Sequence, residues 1–157
     1  MHHGGGDLRK GSANLIRHVR HMRSYGPPVI VAINRRAEDC PEEHQELIAI
    51  LEAEGIQAVS ADPWNSGGKG CEKLAAEVAG LACKPSKFAP LYTEKETAYE
   101  KLTTVVHRAY GGAGVVLSEK AKKDLAWIEK NGFGHLPVCI AKTQYSVTDD
   151  ATKLNAP

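Results

Sequence analysis

The stretch Val29-Ile30-Val31-Ala32-Ile33-Asn34-Arg35-Arg36 decides the fold class predicted for this chain. Its apolar part is rich in β-branched residues, which is typical of a strand buried in a parallel sheet. The apolar runs Ile56–Ser60 and Leu136–Ala141 are predicted as two further strands. Helical patterns precede and separate these strands. The alternation predicts an α/β fold, with a parallel sheet flanked by helices.

Capping residues and breakers predict where the helices begin and end. Four of the five predicted helices have a polar or proline start signal and a glycine-containing stop signal, and the helix from about Cys71 to Ala82 follows the Gly67–Gly70 turn. The predicted starts are Ser12, Pro41, Cys71, the capping box of Thr93 with Glu96, and Ser118. The predicted stops are Gly26-Pro27-Pro28, Gly55, Ala82, Gly111 and Asn131-Gly132.

Three strands make a small parallel sheet with two exposed edges, which is a poor independent domain. We therefore expect an incomplete architecture similar to that of P-loop NTPases, completed by self-association or by a complementary segment. The predicted division is a flexible N-terminal segment over 1–11, an α/β segment over 12–92, and a helical segment with a final strand and polar tail over 93–157.

The composition is that of a soluble globular protein. The 157 residues are 42% hydrophobic and 25% charged, with a formal net charge of +1. This balance marks neither a nucleic-acid partner nor a membrane surface. The cysteines (Cys40, Cys71, Cys83 and Cys139) lack metal-site spacing, so no metal is expected. We read them as reduced thiols of a cytoplasmic protein, with Cys139 in the core.

Polar side chains follow the first and last predicted strands. Asn34 and Arg36 come after the first strand, and Lys142, Thr143 and Gln144 come after the last. Ligands of open α/β sheets bind beyond the carboxyl ends of the strands. These residues are therefore candidates for a small-molecule site, although solvated strand ends are the simpler alternative.

The loop Asp62–Gly70 contains Trp64 and a glycine-rich turn. A loop tryptophan either covers the core or offers a stacking surface to a ligand. Gly67, Gly68, Lys69 and Gly70 precede a helix and form a candidate anion-binding turn. The turn is not a Walker A motif, because Pro63 stands at the first glycine position and Gly70 replaces the hydroxyl residue.

Other catalytic or nucleotide-binding patterns are weak. Asn34 at a strand end is reminiscent of guanine-binding proteins, but Ala37 stands where those proteins have an aspartate. His18 and His21 lie on a basic helical face with three arginines. No Ser-His-Asp or paired-carboxylate arrangement is evident, so no catalytic residue is predicted.

Five segments together resemble formate–tetrahydrofolate ligases. They are Ala13–His18, Tyr25–Arg35, Trp64–Gly70, Ala109–Gly111 and Gly132–Ser146. The resemblance implies ATP and tetrahydrofolate as substrates, with formate phosphorylated by ATP before the folate amine attacks the formyl phosphate. It implies an aromatic platform at Trp64 and a polar strand end at Lys142, Thr143 and Gln144. It also implies that Asn34 is a strand-end asparagine of the site.

Two departures from the family pattern shape the expectation. Arg36 replaces an aromatic residue that resembles the second face of the ring-stacking slot. The resemblance covers a middle-to-late part of a longer enzyme and lacks its glycine-rich phosphate loop. We therefore expect a partial ligase that is inactive alone. The alternative is a non-catalytic binding or assembly module that retains the fold.

Overall fold

A computed structural model describes residues 7–141, 147, 148, 150 and 152. The chain divides into two compact units, Met1–Phe88 and Ala89–Pro157. Residues 1–6 of the predicted N-terminal segment 1–11 lie outside the described residues, and so does most of the predicted polar tail. Within the described part of the chain, every helix is too short or too polar to cross a bilayer.

The first unit begins with two consecutive helices, α1 (Leu8–Gly11) and α2 (Ala13–Arg23). Asp7 caps α1 by accepting hydrogen bonds from the next backbone amides. Ser12 stands at the predicted N-cap position of α2, but its side chain makes no capping bond. Its hydroxyl instead donates to the Arg9 carbonyl at 2.9 Å, because α1 supplies an acceptor that the sequence pattern did not reveal.

A two-stranded parallel sheet pairs β1 (Val31–Asn34) with β2 (Ala58–Ala61). Both strands were predicted, with boundaries shifted by one or two residues. Helix α3 (Pro41–Ala53) connects them, with Pro41 in the first turn. Gly55, at φ +65°, lies just past the helix end in the left-handed region that glycine favours.

The buried core of this unit lies on one face of the sheet. It consists of Val19, Val31, Leu51 and Ile56, with partly buried apolar side chains around them. Val31 and Ile33 point to this face because side chains alternate along a strand. Helices α2 and α3 thereby pack against β1, which fixes the strand whose end forms the candidate site.

After β2 the chain makes a short helix, a 3₁₀ turn and a longer helix. These are α4 (Pro63–Ser66), the turn Gly67–Cys71 and α5 (Glu72–Ala82). The predicted helix from Cys71 to Ala82 is confirmed. The glycine-rich run that precedes it is helical as well, rather than an open loop.

The second unit contains α6 (Ala98–Val105), a π-helical turn (Val106–Tyr110) and α7 (Glu119–Lys130). Ser118 caps α7 as predicted. The capping box of α6 is Thr97 with Glu100, one turn later than predicted. Thr93 and Glu96 do bond to each other, but the helix does not continue from them.

The strand predicted over Leu136–Ala141 is wrong, because the structure assigns no strand there. An apolar run becomes a strand only where a neighbouring strand offers a hydrogen-bonding ladder. In the described residues the sheet contains β1 and β2 alone. Cys139 lies in this run and is exposed, so its predicted place in the core is wrong too.

Candidate functional site

The carboxyl ends of β1 and β2 lie side by side. Asn34 pairs with Ala61 in the parallel register, so both strands end at the same level. The amide of Arg35 donates to the Ala61 carbonyl at 2.8 Å and extends the pairing beyond β1. The loops after the two strands therefore start next to each other, at the sheet edge where α/β proteins bind ligands.

An open pocket of about 580 Å³ lies between these two loops. Three predicted site residues line it: Asn34, Arg36 and Trp64. Further lining residues come from the same loops, namely Arg35, Ala37, Glu38 and Pro63. Residues that are distant in sequence thus meet because the strands are parallel and in register.

Trp64 projects into solvent at the rim of this pocket. It is 86% exposed, so it does not cover the core, and the alternative reading as a lid is wrong. Its position follows from local structure. Pro63 opens α4, and the Asp62 carboxylate caps that helix by accepting from the Asn65 amide at 3.0 Å. The indole faces are thereby left free to contact a flat ring.

Two exposed arginines give the pocket its positive charge. Among the described residues, neither Arg35 nor Arg36 forms an ion pair. A guanidinium can stack on a flat ring or bind a carboxylate or phosphate through paired hydrogen bonds. Arg36 also lines a neighbouring pocket of about 520 Å³, whose apolar wall includes Leu15 and Leu47. It therefore stands between the two cavities.

Asp39 holds the loop that carries the arginines. Its Oδ2 accepts from the Arg36 amide at 2.9 Å and lies 2.9 Å from Nε2 of His44 on α3. The His44 hydrogen bond, and after it the Arg36 amide, lowers the pKa of Asp39 below its ordinary value. An ionised Asp39 thus ties Arg36 to the first turns of α3.

The Gly67–Gly70 turn has a structural role of its own. A side chain at Gly70 would collide with the Asp62 carbonyl oxygen, and the Asp62 amide donates to the Gly70 carbonyl at 3.0 Å. Gly67 adopts φ +53°, which also favours glycine. These contacts explain two of the glycines without a ligand, and anion binding at this turn stays a prediction.

The remaining predicted site residues are Lys142, Thr143 and Gln144, which lie outside the described residues. The described residues contain no group of three or more His, Cys, Asp or Glu side chains arranged to hold a metal ion.

Sequence reasoning missed two features of this site. It did not select Glu38, which brings a carboxylate to the pocket wall. It also overlooked the Asp39–His44 pair, which holds the loop. The available signal was an acidic residue just before a proline-initiated helix, followed by a histidine in the first turns of that helix. Such a pattern is common, and its meaning depends on the loop geometry.

Comparison with known proteins gives one consistent result. The family model described as formate–tetrahydrofolate ligase matches residues 3–157. The formate–tetrahydrofolate ligase of Limosilactobacillus fermentum is 45% identical over 151 residues, covering 96% of this chain and 27% of that protein. The ligase of an Arthrobacter species is 46% identical over 152 residues, with the same coverage. The ligase of Paenarthrobacter aurescens is 47% identical over 149 residues, covering 94% of this chain and 26% of that protein. The chain thus spans about a quarter of the length of these curated relatives.

Proposed function

Because this chain belongs to the formate–tetrahydrofolate ligase family, we propose that its 157 residues form the ring-binding part of a ligase site and do not catalyse ligation alone. Tetrahydrofolate is the ring ligand that we favour, and the adenine ring of ATP is the second candidate. The cytoplasm is the proposed location, because one-carbon metabolism of this kind uses soluble substrates.

The observation that supports this proposal most directly is the exposure of Trp64 beside Asn34 and Arg36. An indole that is 86% exposed contributes little to the core, since burial is the source of hydrophobic stabilisation. Covering it with a flat ring would contribute stacking energy, about 0.5–1.5 kcal/mol beyond the area buried. A ligand platform therefore accounts for a residue that packing leaves unexplained.

Each pocket residue has a distinct proposed role. The Trp64 indole stacks on the ring, and the Arg36 guanidinium covers its other face or binds an anionic group of the ligand. The Asn34 amide can both donate and accept, which suits the edge of a heterocycle. Lys142, Thr143 and Gln144 are proposed to add polar contacts, on the strength of the family resemblance alone.

Phosphate chemistry is the part of the reaction that we do not assign to these residues. The 157-residue sequence contains no Gly-x-x-x-x-Gly-Lys-Ser/Thr motif. Anion binding by Gly67, Gly68, Lys69 and Gly70 remains a weaker proposal, because the Asp62 carboxylate lies beside this turn. We expect no formyl transfer from the purified chain given ATP, formate and tetrahydrofolate. Product formation above a no-enzyme control would overturn the inactivity proposal.

Fluorescence titration tests the ring site. The chain has two tryptophans, so a Trp127→Phe background leaves Trp64 as the reporter. We expect saturable quenching by reduced folates or by ATP, depending on which ring the pocket accepts. Calorimetry on Trp64→Ala should then show loss of binding, whereas Trp127→Phe should bind like the unmodified chain. Equal binding by Trp64→Ala would exclude the proposed platform.

The assembly alternative rests on the edge of β1 that faces away from β2, which no strand of the described residues covers. The amides of Val31 and Arg35 donate to the β2 side, so the intervening Ala32 amide points to the opposite edge. Four consecutive β1 residues line the second pocket, which makes that edge accessible. We propose that a strand can add here, by self-association or from a complementary ligase segment, in an incomplete P-loop-NTPase-like sheet.

We also propose that residues 12–92 and residues 93–157 are separate domains of the chain.

Light scattering can test whether the added strand comes from a second copy of this chain. Ala32→Pro removes the outward amide while proline remains tolerated at a sheet edge. We expect any concentration-dependent dimer to dissociate in Ala32→Pro and to persist in the control Ala32→Ser. A monomer at all concentrations would exclude self-association.

A further inference from the structure

The ammonium of Lys101 is buried in the second unit and bonded to three backbone carbonyls. The residue is fully buried, at 0% exposure. Its Nζ donates to the carbonyls of Gly134 at 2.6 Å, Leu136 at 3.2 Å and Glu94 at 3.4 Å. An ammonium has three N–H donors and no acceptor, so three carbonyls match its capacity. Burying such a group is costly unless it is bonded in this way.

Tyr92 holds the same segment a little further along. Its hydroxyl accepts from the Val138 amide at 2.9 Å and donates to the Val138 carbonyl at 3.0 Å. The Lys101 Nζ lies 6.0 Å from the centroid of the Tyr92 ring. The two side chains are therefore neighbours that act on one stretch of backbone.

The bonded carbonyls lie in a turn and in the segment just after it. Gly134 and His135 form a turn that the Leu136 amide closes by donating to the Phe133 carbonyl at 3.0 Å. Beyond this turn a paired strand would normally satisfy the backbone, but the structure assigns no strand to residues 136–138. We infer that Lys101 and Tyr92 form a side-chain clamp that fixes the turn and the backbone of Leu136 and Val138 in place of a neighbouring strand.

Gly134 anchors the start of the clamped segment. A side chain there would collide with the Glu129 carboxylate. That carboxylate is itself fixed, because its Oε1 accepts from the Ala98 amide at 2.8 Å. Gly134 thus packs against Glu129 while its carbonyl accepts from Lys101. This arrangement explains why the apolar run after Gly134 is ordered without a ladder.

The clamp makes Lys101 a positioning residue. A chain reaches at most about 3.5 Å per residue, so holding Val138 in place limits how far from it the next residues of the chain can lie. This inference does not depend on the proposed ring site, because every residue that supports it lies in the second unit. Failure of the Trp64 titration would leave it intact.

Amide hydrogen exchange on the 157-residue chain tests the clamp. Tyr92→Phe removes only the hydroxyl and should speed exchange of the Val138 amide about tenfold, with α7 unchanged. Lys101→Met should speed exchange at both Leu136 and Val138. The control Lys95→Met changes an exposed lysine and should have no effect. Unchanged exchange at Val138 in Tyr92→Phe, or at both amides in folded Lys101→Met, would overturn the inference.

Chemical rescue separates hydrogen-bond donation from simple filling of space. In Lys101→Ala, propylammonium chloride can replace the missing side chain and its three donors. Tetramethylammonium chloride supplies the same charge without N–H groups. We expect slowed exchange at Leu136 and Val138 with propylammonium only. Equal results with the two salts, including no effect from either, contradict the role of Lys101. If Lys101→Ala does not fold, the exchange rate of the Val138 amide in Tyr92→Phe decides whether the clamp exists.

Discussion

The backbone amide of Arg35 donates to the carbonyl of Ala61 at 2.8 Å, one residue past the end of β1. This single bond joins the loop that carries Arg36 to the loop that carries Trp64. It holds the two sides of the candidate pocket at a fixed separation, because each loop starts from the same rung of the sheet. The pocket is therefore a consequence of strand register as much as of its lining residues.

Arg36→Phe should change the ligand preference of the pocket. An aromatic side chain would add a second stacking face, so we expect reduced folate to bind about three- to tenfold more tightly. The binding of an anionic ligand should also lose part of its salt dependence, because the guanidinium charge is gone. Calorimetric titration at low and high sodium chloride measures both effects.

Arg9→Gln is the matched control for Arg36→Phe, since Arg9 is exposed on α1 and does not line the pocket. Arg9→Gln should leave unchanged both the affinity for the ligand and the dependence of that affinity on salt concentration, called the salt slope below. A salt slope in Arg36→Phe equal to that of the unmodified chain would show that Arg36 does not contact the ligand.

Gly70→Ala should destabilise the first unit by about 1–3 kcal/mol, the usual effect of overpacking. The added carbon would collide with the Asp62 carbonyl oxygen, so the Asp62–Gly70 contact must open. Gly68→Ala is the matched control, because nothing lies near the added carbon at that position. Urea denaturation of both variants tests the difference. Equal midpoints would mean that the turn does not require Gly70.

Asp39 should make stability depend on acid pH. Its pKa is lowered in the folded chain, chiefly by the His44 hydrogen bond, and is about 3.9 when unfolded. The stabilisation is therefore fully present above the unfolded pKa and is lost as pH falls through the folded pKa. In Asp39→Asn, the midpoint temperature of thermal unfolding should therefore fall less steeply than in the unmodified chain as the pH is lowered below about 4. The control Glu43→Gln changes an exposed position on α3 and should keep the same dependence of the thermal midpoint on pH as the unmodified chain.

The start of α6 can be tested with a pair of threonines. Thr97→Ala removes the hydroxyl that accepts from the Glu100 amide, so we expect a loss of about 1 kcal/mol. Thr93→Ala lies a turn before the helix and should cost no more than about 0.5 kcal/mol, as for an ordinary surface position. Guanidinium unfolding monitored by circular dichroism compares the two. A larger loss in Thr93→Ala would place the functional cap at the position predicted from sequence.

Much of the local structure could be predicted because it depends on neighbouring residues. The β-branched run before Asn34 forms β1, Pro41 opens α3, and Ser118 caps α7. Propensity, capping and backbone stereochemistry act over a few residues, so these features can be read in the chain. The Thr93–Glu96 motif shows the limit, because a second capping box follows and only packing selects between them.

The sequence alone determined the strands β1 and β2, the starts of helices α3 and α7, and the residue types at the carboxyl ends of the strands. Tertiary structure alone decided that Trp64 is exposed and that Arg36 lines its pocket, because these facts depend on strand register. It also decided that residues 136–141 form no strand. Their backbone bonds to Lys101 and Tyr92, and no periodicity in the sequence could show that side chains would take the place of a neighbouring strand.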